Sequence, residues 1–332
     1  MLRNLGRFKF YTGPKLTNGM IRSNHQVLEF SDRDMTSFLS PMGLRSIGKK
    51  RTNLKLIEMC DNFRPDLLVI GHCDIITEKT LQQIRRLIPH IKIVHWFLDA
   101  LWISRNIARL KSRIHSTDAI FVTTGGAVLK QFCTGANRVG FIPNPTDPSW
   151  ERHNNATKNE FERDLLFCGG GDKTDSRYGL LRFVEDNLGS SIKFESFGIV
   201  GNPSVWGQAY DKIISTSKMA LNLNREEGWP LYSSDRISQL LGNGLLTFIW
   251  DKGEMRRLFS DDQVVFFRDR FELTKKLQLF QEDDALRQHT ASNGYNHYRK
   301  HFSAQQVVNY MIETTFDLTY STEYLWRGET YS

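Results

Sequence analysis

The chain has 332 residues, 40% of them hydrophobic and 24% charged, with a formal net charge of +7. It contains no run near the roughly 20 apolar residues needed to span a bilayer, and MLRNLGRFKFYTGPK lacks the long apolar segment of a secretory signal. Four cysteines (Cys60, Cys73, Cys133, Cys168) stand far apart with no CxxC pair, so membrane-spanning, collagenous and disulfide-scaffold classes are excluded and a cytoplasmic protein is expected.

In chain order, Phe8-Lys9-Phe10-Tyr11 reads as a first strand ending at the turn-former Gly13-Pro14, and Gln26 to Phe30 as a second strand. Asn53 to Phe63 carries Leu54, Ile57 and Cys60 at helical spacing and is closed by Pro65. Asp66 to Gly71 is a continuous apolar run, the mark of a strand buried on both faces of a parallel sheet. A helix over Thr77 to Ile88 follows, then strands over Ile91 to Phe97, Asp118 to Thr123 and Arg138 to Ile142. Pro143, Pro145 and Pro148, with the polar stretch Glu151 to Glu162, read as a linker.

The rhythm then restarts. Strands are expected at Asp164 to Cys168, Ile192 to Phe197, Met219 to Leu223, Leu245 to Trp250 and Val264 to Phe267. Helices are expected at Tyr178 to Leu188, Trp206 to Thr216, Ser234 to Leu241 and from Phe271 onward. The fold class is therefore α/β, with two Rossmann-like doubly wound domains facing a cleft. The expected divisions are an acceptor domain over 1–150, a donor domain over 151–310 and a helical tail over 311–332 that packs back on the first domain. Residues 1–150 hold 22 Lys and Arg against 11 Asp and Glu, whereas 151–332 hold 22 against 26. A basic first half suggests an anionic partner there.

Glycines in a strand-to-helix loop let backbone N–H groups approach a phosphate, which singles out Gly169, Gly170 and Gly171, with Lys173 and Arg177 adding charge. Tyr232, Ser233, Ser234, Asp235 and Arg236 open a helix whose start suits either plain N-capping or a pyrophosphate. Gly13 and Lys15 follow the first expected strand. Asp99, after a buried strand and flanked by Trp96 and Trp102, is the first candidate for a general base. His72, after the strand ending Ile70-Gly71, is the second. Either indole suits a sugar face.

The stretch Ser234 to Phe267 resembles the donor domain of GT-B glycosyltransferases, and most closely the spore-maturation-type bacterial group. The resemblance rests on Arg236, Gly244, the buried strand Leu245 to Ile249, Glu254 with Leu258-Phe259, the strand Val264 to Phe267, and Phe271-Glu272-Leu273. In the first half, Asn18-Gly19, Pro65-Asp66, Trp96, Asp99 and Phe141 to Pro145 match its layout more loosely. It implies transfer of a sugar from a nucleotide-sugar co-substrate to a hydroxyl of a glycan or lipid-linked acceptor, with no metal and no other cofactor. It also implies that Gln239 stands where relatives often carry a ribose-binding Glu, and Leu231 where retaining members often carry another. Asn224, Arg225, Glu226 and Glu227 are the residues placed to substitute.

An anionic membrane surface is an expected partner of the basic first half, through Lys49-Lys50-Arg51, Lys55, Arg85-Arg86 and the run Arg105 to Arg113. No nucleic-acid partner is expected, because these segments lack interleaved aromatics. Two other classes compete: a nucleotide-sugar epimerase of the same architecture, and a non-enzymatic nucleotide- or nucleic-acid-binding protein.

Overall fold

The computed structural model describes residues 12–41, 44–188 and 191–332, so the expected strand Phe8 to Tyr11 lies outside the described residues. Two compact units account for these residues. One comprises Leu16–Ile142 with Val307–Ser332, the other Pro143–Gln306 with 12–15.

The first helix, α1 (Thr12–Arg22), contains Gly13 and Pro14 in its opening turn, where a sequence reading expects a chain reversal. Proline is tolerated there because a first-turn N–H has no helical acceptor to lose. Gln26 to Phe30 forms no regular element and joins no sheet among the described residues, and Leu28 is half exposed. Its Val27, Leu28 and Phe30 suit a strand, but a strand is formed only where a neighbour supplies the ladder. The acids of Ser31-Asp32-Arg33-Asp34 open a further helix, α2 (Asp32–Phe38), in the place the macrodipole favours. Helix α3 (Arg45–Phe63) begins eight residues earlier than its apolar periodicity indicates. Its Gly48 packs so closely on α2 that a Cβ would fall 2.5 Å from the Thr36 carbonyl oxygen.

The parallel strands β1 (Leu67–Ile70), β2 (Lys92–Phe97), β3 (Ala119–Val122) and β4 (Arg138–Phe141) lie side by side in chain order. Ile70 pairs with His95, and Phe97 with Val122. Every residue of β3 is buried, as its unbroken apolar run requires. Helices α4 (Glu78–Leu87), capped by the Thr77 hydroxyl, and α5 (Ser104–Lys111) connect the strands.

In the second unit β5 (Arg163–Cys168), α6 (Tyr178–Leu188), β6 (Phe194–Phe197), α7 (Gly207–Ser215), β7 (Ser217–Asn222), α8 (Arg236–Gly242), β8 (Leu246–Trp250) and β9 (Val265–Phe267) alternate along the chain. The strand order is β6-β5-β7-β8-β9, all parallel. The chain thus steps from β5 to one side and returns to the other. That reversal leaves a crevice at the carboxyl ends of β5 and β7.

Glu151 to Glu162 is no loose linker. Asn155 is buried and donates to the carbonyls of Ile214 (2.7 Å) and Ser217 (2.8 Å), and the fully buried Arg287 donates to the carbonyls of Asn155, Ala156 and Lys158. Its polar residues satisfy buried backbone groups, which composition alone cannot distinguish from solvation. Helices α9 (Arg270–Glu282) and α10 (Asp284–His301) close this unit, each started by an Asp side chain accepting backbone N–H bonds. Helix α11 (Ala304–Thr315) follows, and strand β10 (Thr330–Tyr331) pairs antiparallel with β4 in the first unit. There Tyr310 sets its ring edge-on to Phe121 and shares a 2.6 Å hydroxyl bond with Thr330.

Candidate functional site

The reversal of strand order in the second unit places Cys168 and Gly169–Gly171 beside Asn222, Leu223 and Asn224. Arg236, the first residue of α8 and only 7% exposed, spans the two strand ends. Its guanidinium donates to the Cys168 carbonyl at 2.9 Å and to the Leu223 carbonyl, and lies 5.1 Å from the Phe167 ring centroid. Arg177 stands 5.6 Å from the same ring. Burial, and next the Arg177 charge, lower the Arg236 pKa below that of an ordinary guanidinium. Holding two cations against one buried ring is electrostatically costly, and an anion at the strand ends would offset that cost.

Arg177 forms a two-pronged pair with Asp175, with both bonds at 2.7 Å, and also donates to the Gly170 carbonyl at 3.0 Å. Arg225, more exposed, reaches the same carbonyl at 3.0 Å. The Asp175 carboxyl is held below the usual carboxylate range by these partners, chiefly Arg177. A Cβ on Gly170 would meet open space, whereas on Gly171 it would come within 2.5 Å of the Asp175 carboxylate. The glycine loop does not run straight into a helix, since six residues separate Gly171 from α6. Its charge comes from side chains, and Lys173 is exposed within the intervening turn.

The segment before α8 is tightly wired. Asn222 donates to the Ser233 hydroxyl (3.0 Å), Asn144 to the Ser233 carbonyl (2.9 Å), and Asn224 to the Tyr232 carbonyl (3.2 Å). The Asn224 N–H donates to Glu227 at 2.9 Å. Burial raises the pKa values of both Glu227 and Asp235. Asn222 Oδ1, Asn224 Oδ1, Ser234 Oγ and Arg236 Nε are buried with no hydrogen-bond partner. Each such atom costs about 1–3 kcal/mol unless a ligand pairs with it. Since α8 has seven residues and no side-chain cap, its dipole is a minor contributor beside the guanidinium charges.

Three sequence-derived candidates have other duties. Lys15 is buried, with its ammonium 2.5 Å from Glu151 and bonded to Ser238 (3.1 Å) and the Pro145 carbonyl (3.2 Å). A phosphate there would have to displace Glu151. Gln239 accepts from the Tyr210 hydroxyl at 2.6 Å and donates to Asp235 at 3.3 Å, which occupies the amide that a ribose would need. Gly13 is a helix residue instead of a turn at a strand end. Leu231 is buried and apolar, so it offers no polar group at its position.

In the first unit, His72 follows β1 and Asp99 follows β2. Adjacent parallel strands therefore bring them together, with His72 Nδ1 3.5 Å from Asp99 Oδ2. Arg109 of α5 lies 3.4 Å from the same oxygen. Sequence reasoning ranked His72 and Asp99 separately and missed both their contact and Arg109, because strand adjacency is not written in spacing. The Trp96 indole covers Gly71, where a Cβ would come within 2.6 Å of its ring, and stands edge-on to His72 at 6.4 Å. Trp102 is half-buried in the same loop.

Residues 177–313, which take in most of the second unit, match a family model described as glycosyl transferase-like. No match was found among curated proteins. Of solved structures, the chain is similar to an alpha-glucosyltransferase in complex with UDP-glucose and DNA containing an abasic site. Identity is 14% and the TM-score 0.65, over 94% of this chain and 96% of that one. It is similar to TarM at 9% identity and TM-score 0.56, over 80% of this chain and 58% of that one. It is also similar to Anabaena HepE in complex with UDP and glucose, at 12% identity and TM-score 0.51, over 81% and 82%. Identities this low speak for the fold, which is a pair of α/β domains with parallel sheets of the GT-B kind.

Proposed function

We propose that the enzyme transfers a sugar from a uridine-diphosphate donor to a hydroxyl of a glycan or lipid-linked acceptor, with Arg236 and Arg177 holding the diphosphate. The observation that carries this reading is Arg236 lodged across the β5 and β7 ends, beside a second guanidinium and four unpartnered polar atoms. The choice of uridine is supported by the UDP named with two of the similar structures. The stretch from Ser234 to Phe267 supports the spore-maturation-type group as the closer kinship.

In the transfer, the bond between the anomeric carbon and the diphosphate oxygen breaks and its electrons leave with the nucleotide. Fixed guanidinium charges that need no reorganisation stabilise the departing anion, so no metal is called upon. The acceptor oxygen bonds to the anomeric carbon as its proton leaves for a base, and within the first unit His72, its Nδ1 3.5 Å from Asp99, has the chemistry to accept a proton at Nε2. Trp96 and Trp102 offer faces for the acceptor sugar.

Thermal unfolding against UDP, GDP, CMP and ADP tests the donor site. A nucleotide at 100 times its dissociation constant stabilises by about 2.7 kcal/mol. UDP is expected to stand out, and four flat responses would overturn the reading.

A further inference from the structure

Helix α3 presents two unlike faces. Gly48, Thr52, Leu56 and Cys60 recur every four residues and are buried, Thr52 against Thr36 of α2 (2.9 Å) and Leu56 and Cys60 among Ile70, Leu81 and Ile84. The opposite face carries Ile47, Arg51 and Leu54 at spacings of four and three residues, and Leu44 stands at the N-cap before it; Leu44, Ile47 and Leu54 are 47%, 39% and 55% exposed. Phe38, 85% exposed, ends α2, the helix on which Gly48 packs. Lys50 and Arg51 flank these aliphatics, Arg45 and Lys49 are exposed at the sides of the same first turns, and no acid occupies the first turn.

Both features are unfavourable for a helix that merely faces water. Cations in the first turns oppose the macrodipole, and clustered exposed aliphatics and a phenylalanine leave apolar surface hydrated. The two costs have a common remedy. We infer that the outer face of α3, with Phe38 at the end of α2, docks on an anionic phospholipid bilayer, its cations at the headgroups and its aliphatics in the boundary beneath them. A nucleic acid would engage the cations but gives no return on Leu44, Ile47 or Leu54, since single strands are held by aromatic stacking and duplexes by polar contacts. The helix would lie on the membrane, because no helix among the described residues is long and apolar enough to cross one. This inference needs only the first unit's surface and stands whether or not the transferase reading does.

The test is co-sedimentation of the full chain with phosphatidylcholine vesicles, with and without about a third phosphatidylglycerol, at low and at physiological salt. Binding is expected only to the anionic vesicles. Lys49→Glu with Lys50→Glu and Arg51→Glu should weaken it at least about a hundredfold, from about fivefold per charge. Leu44→Ser with Leu54→Ser should weaken it while leaving the salt dependence in place, and an unchanged melting temperature would verify that these exposed changes spare the fold. Absence of binding to anionic vesicles at low salt overturns the inference. So does equally tight binding to duplex DNA that the serine variant leaves untouched, which would assign the face to nucleic acid instead.

Discussion

The carboxyl ends of the two parallel sheets are built differently. In the second unit the polar groups are buried and prewired: Arg236 is 7% exposed, and Asn222, Ser233 and Asn144 form one connected set of hydrogen bonds. In the first unit His72 and Asp99 stand 40% and 38% exposed, joined by one long contact and a single neighbouring guanidinium. The first arrangement suits a small, highly charged ligand, whose binding is costly unless dipoles are already fixed around it. The second suits a bulky neutral hydroxyl compound, which needs an accessible face and a proton acceptor.

The largest expected effect tests the exposed end. His72→Ala and Asp99→Asn should each reduce turnover by about 10²–10⁴-fold with nucleotide affinity unchanged, as measured by initial rates and by nucleotide-induced thermal shift. Wild-type turnover in both variants would leave the first unit without a base. At the buried end, Arg236→Ala should weaken nucleotide binding more than tenfold. It should also lower folding stability by roughly 2–3 kcal/mol, because two strand-end carbonyls lose a charged donor. Denaturant titration separates the two effects, and a variant that loses stability without losing affinity would make Arg236 a staple alone.

A smaller effect tests packing away from either end. A Cβ on Gly294 would fall 2.2 Å from the Gln263 carbonyl oxygen, so Gly294→Ala should destabilise the second unit by about 1–3 kcal/mol without altering nucleotide specificity. A separate test concerns pH. Burial, helped by the Arg113 charge, pushes the His95 pKa in the first unit down to about 3. Its unfolded form binds a proton below about 6.5 while its folded form does not, so acidification favours unfolding. Stability should therefore fall by about 1.4 kcal/mol per pH unit from this group between pH 6.5 and 3, and His95→Phe should flatten that slope. An unchanged slope in melts from pH 7.5 to 5 would assign it to other groups, such as His297, whose burial also lowers its pKa.

The most legible parallel strands are unbroken apolar runs, as in Leu67–Ile70 and Ala119–Val122, whereas Phe194–Phe197 and Ser217–Asn222 carry polar residues within them. Gln26 to Phe30 pairs with no strand among the described residues, so its assignment cannot be read from its own residues, because a ladder needs a partner. Among the candidate residues, the place of Arg236 at the head of α8 was legible, but its contacts with the Cys168 and Leu223 carbonyls were not. Lys15 and Gln239 were misread because their partners, Glu151 and Tyr210, lie 136 and 29 positions away.

The sequence by itself determined where the buried strands run, which half is basic and which helix an arginine opens, since hydrophobic period and charge are local properties. Only the tertiary structure decided which strand ends adjoin, and hence that Arg236 bridges β5 and β7, that His72 meets Asp99, and that Lys15 is already paired. Those facts depend on strand order and on side chains meeting across long separations, and no local preference encodes either.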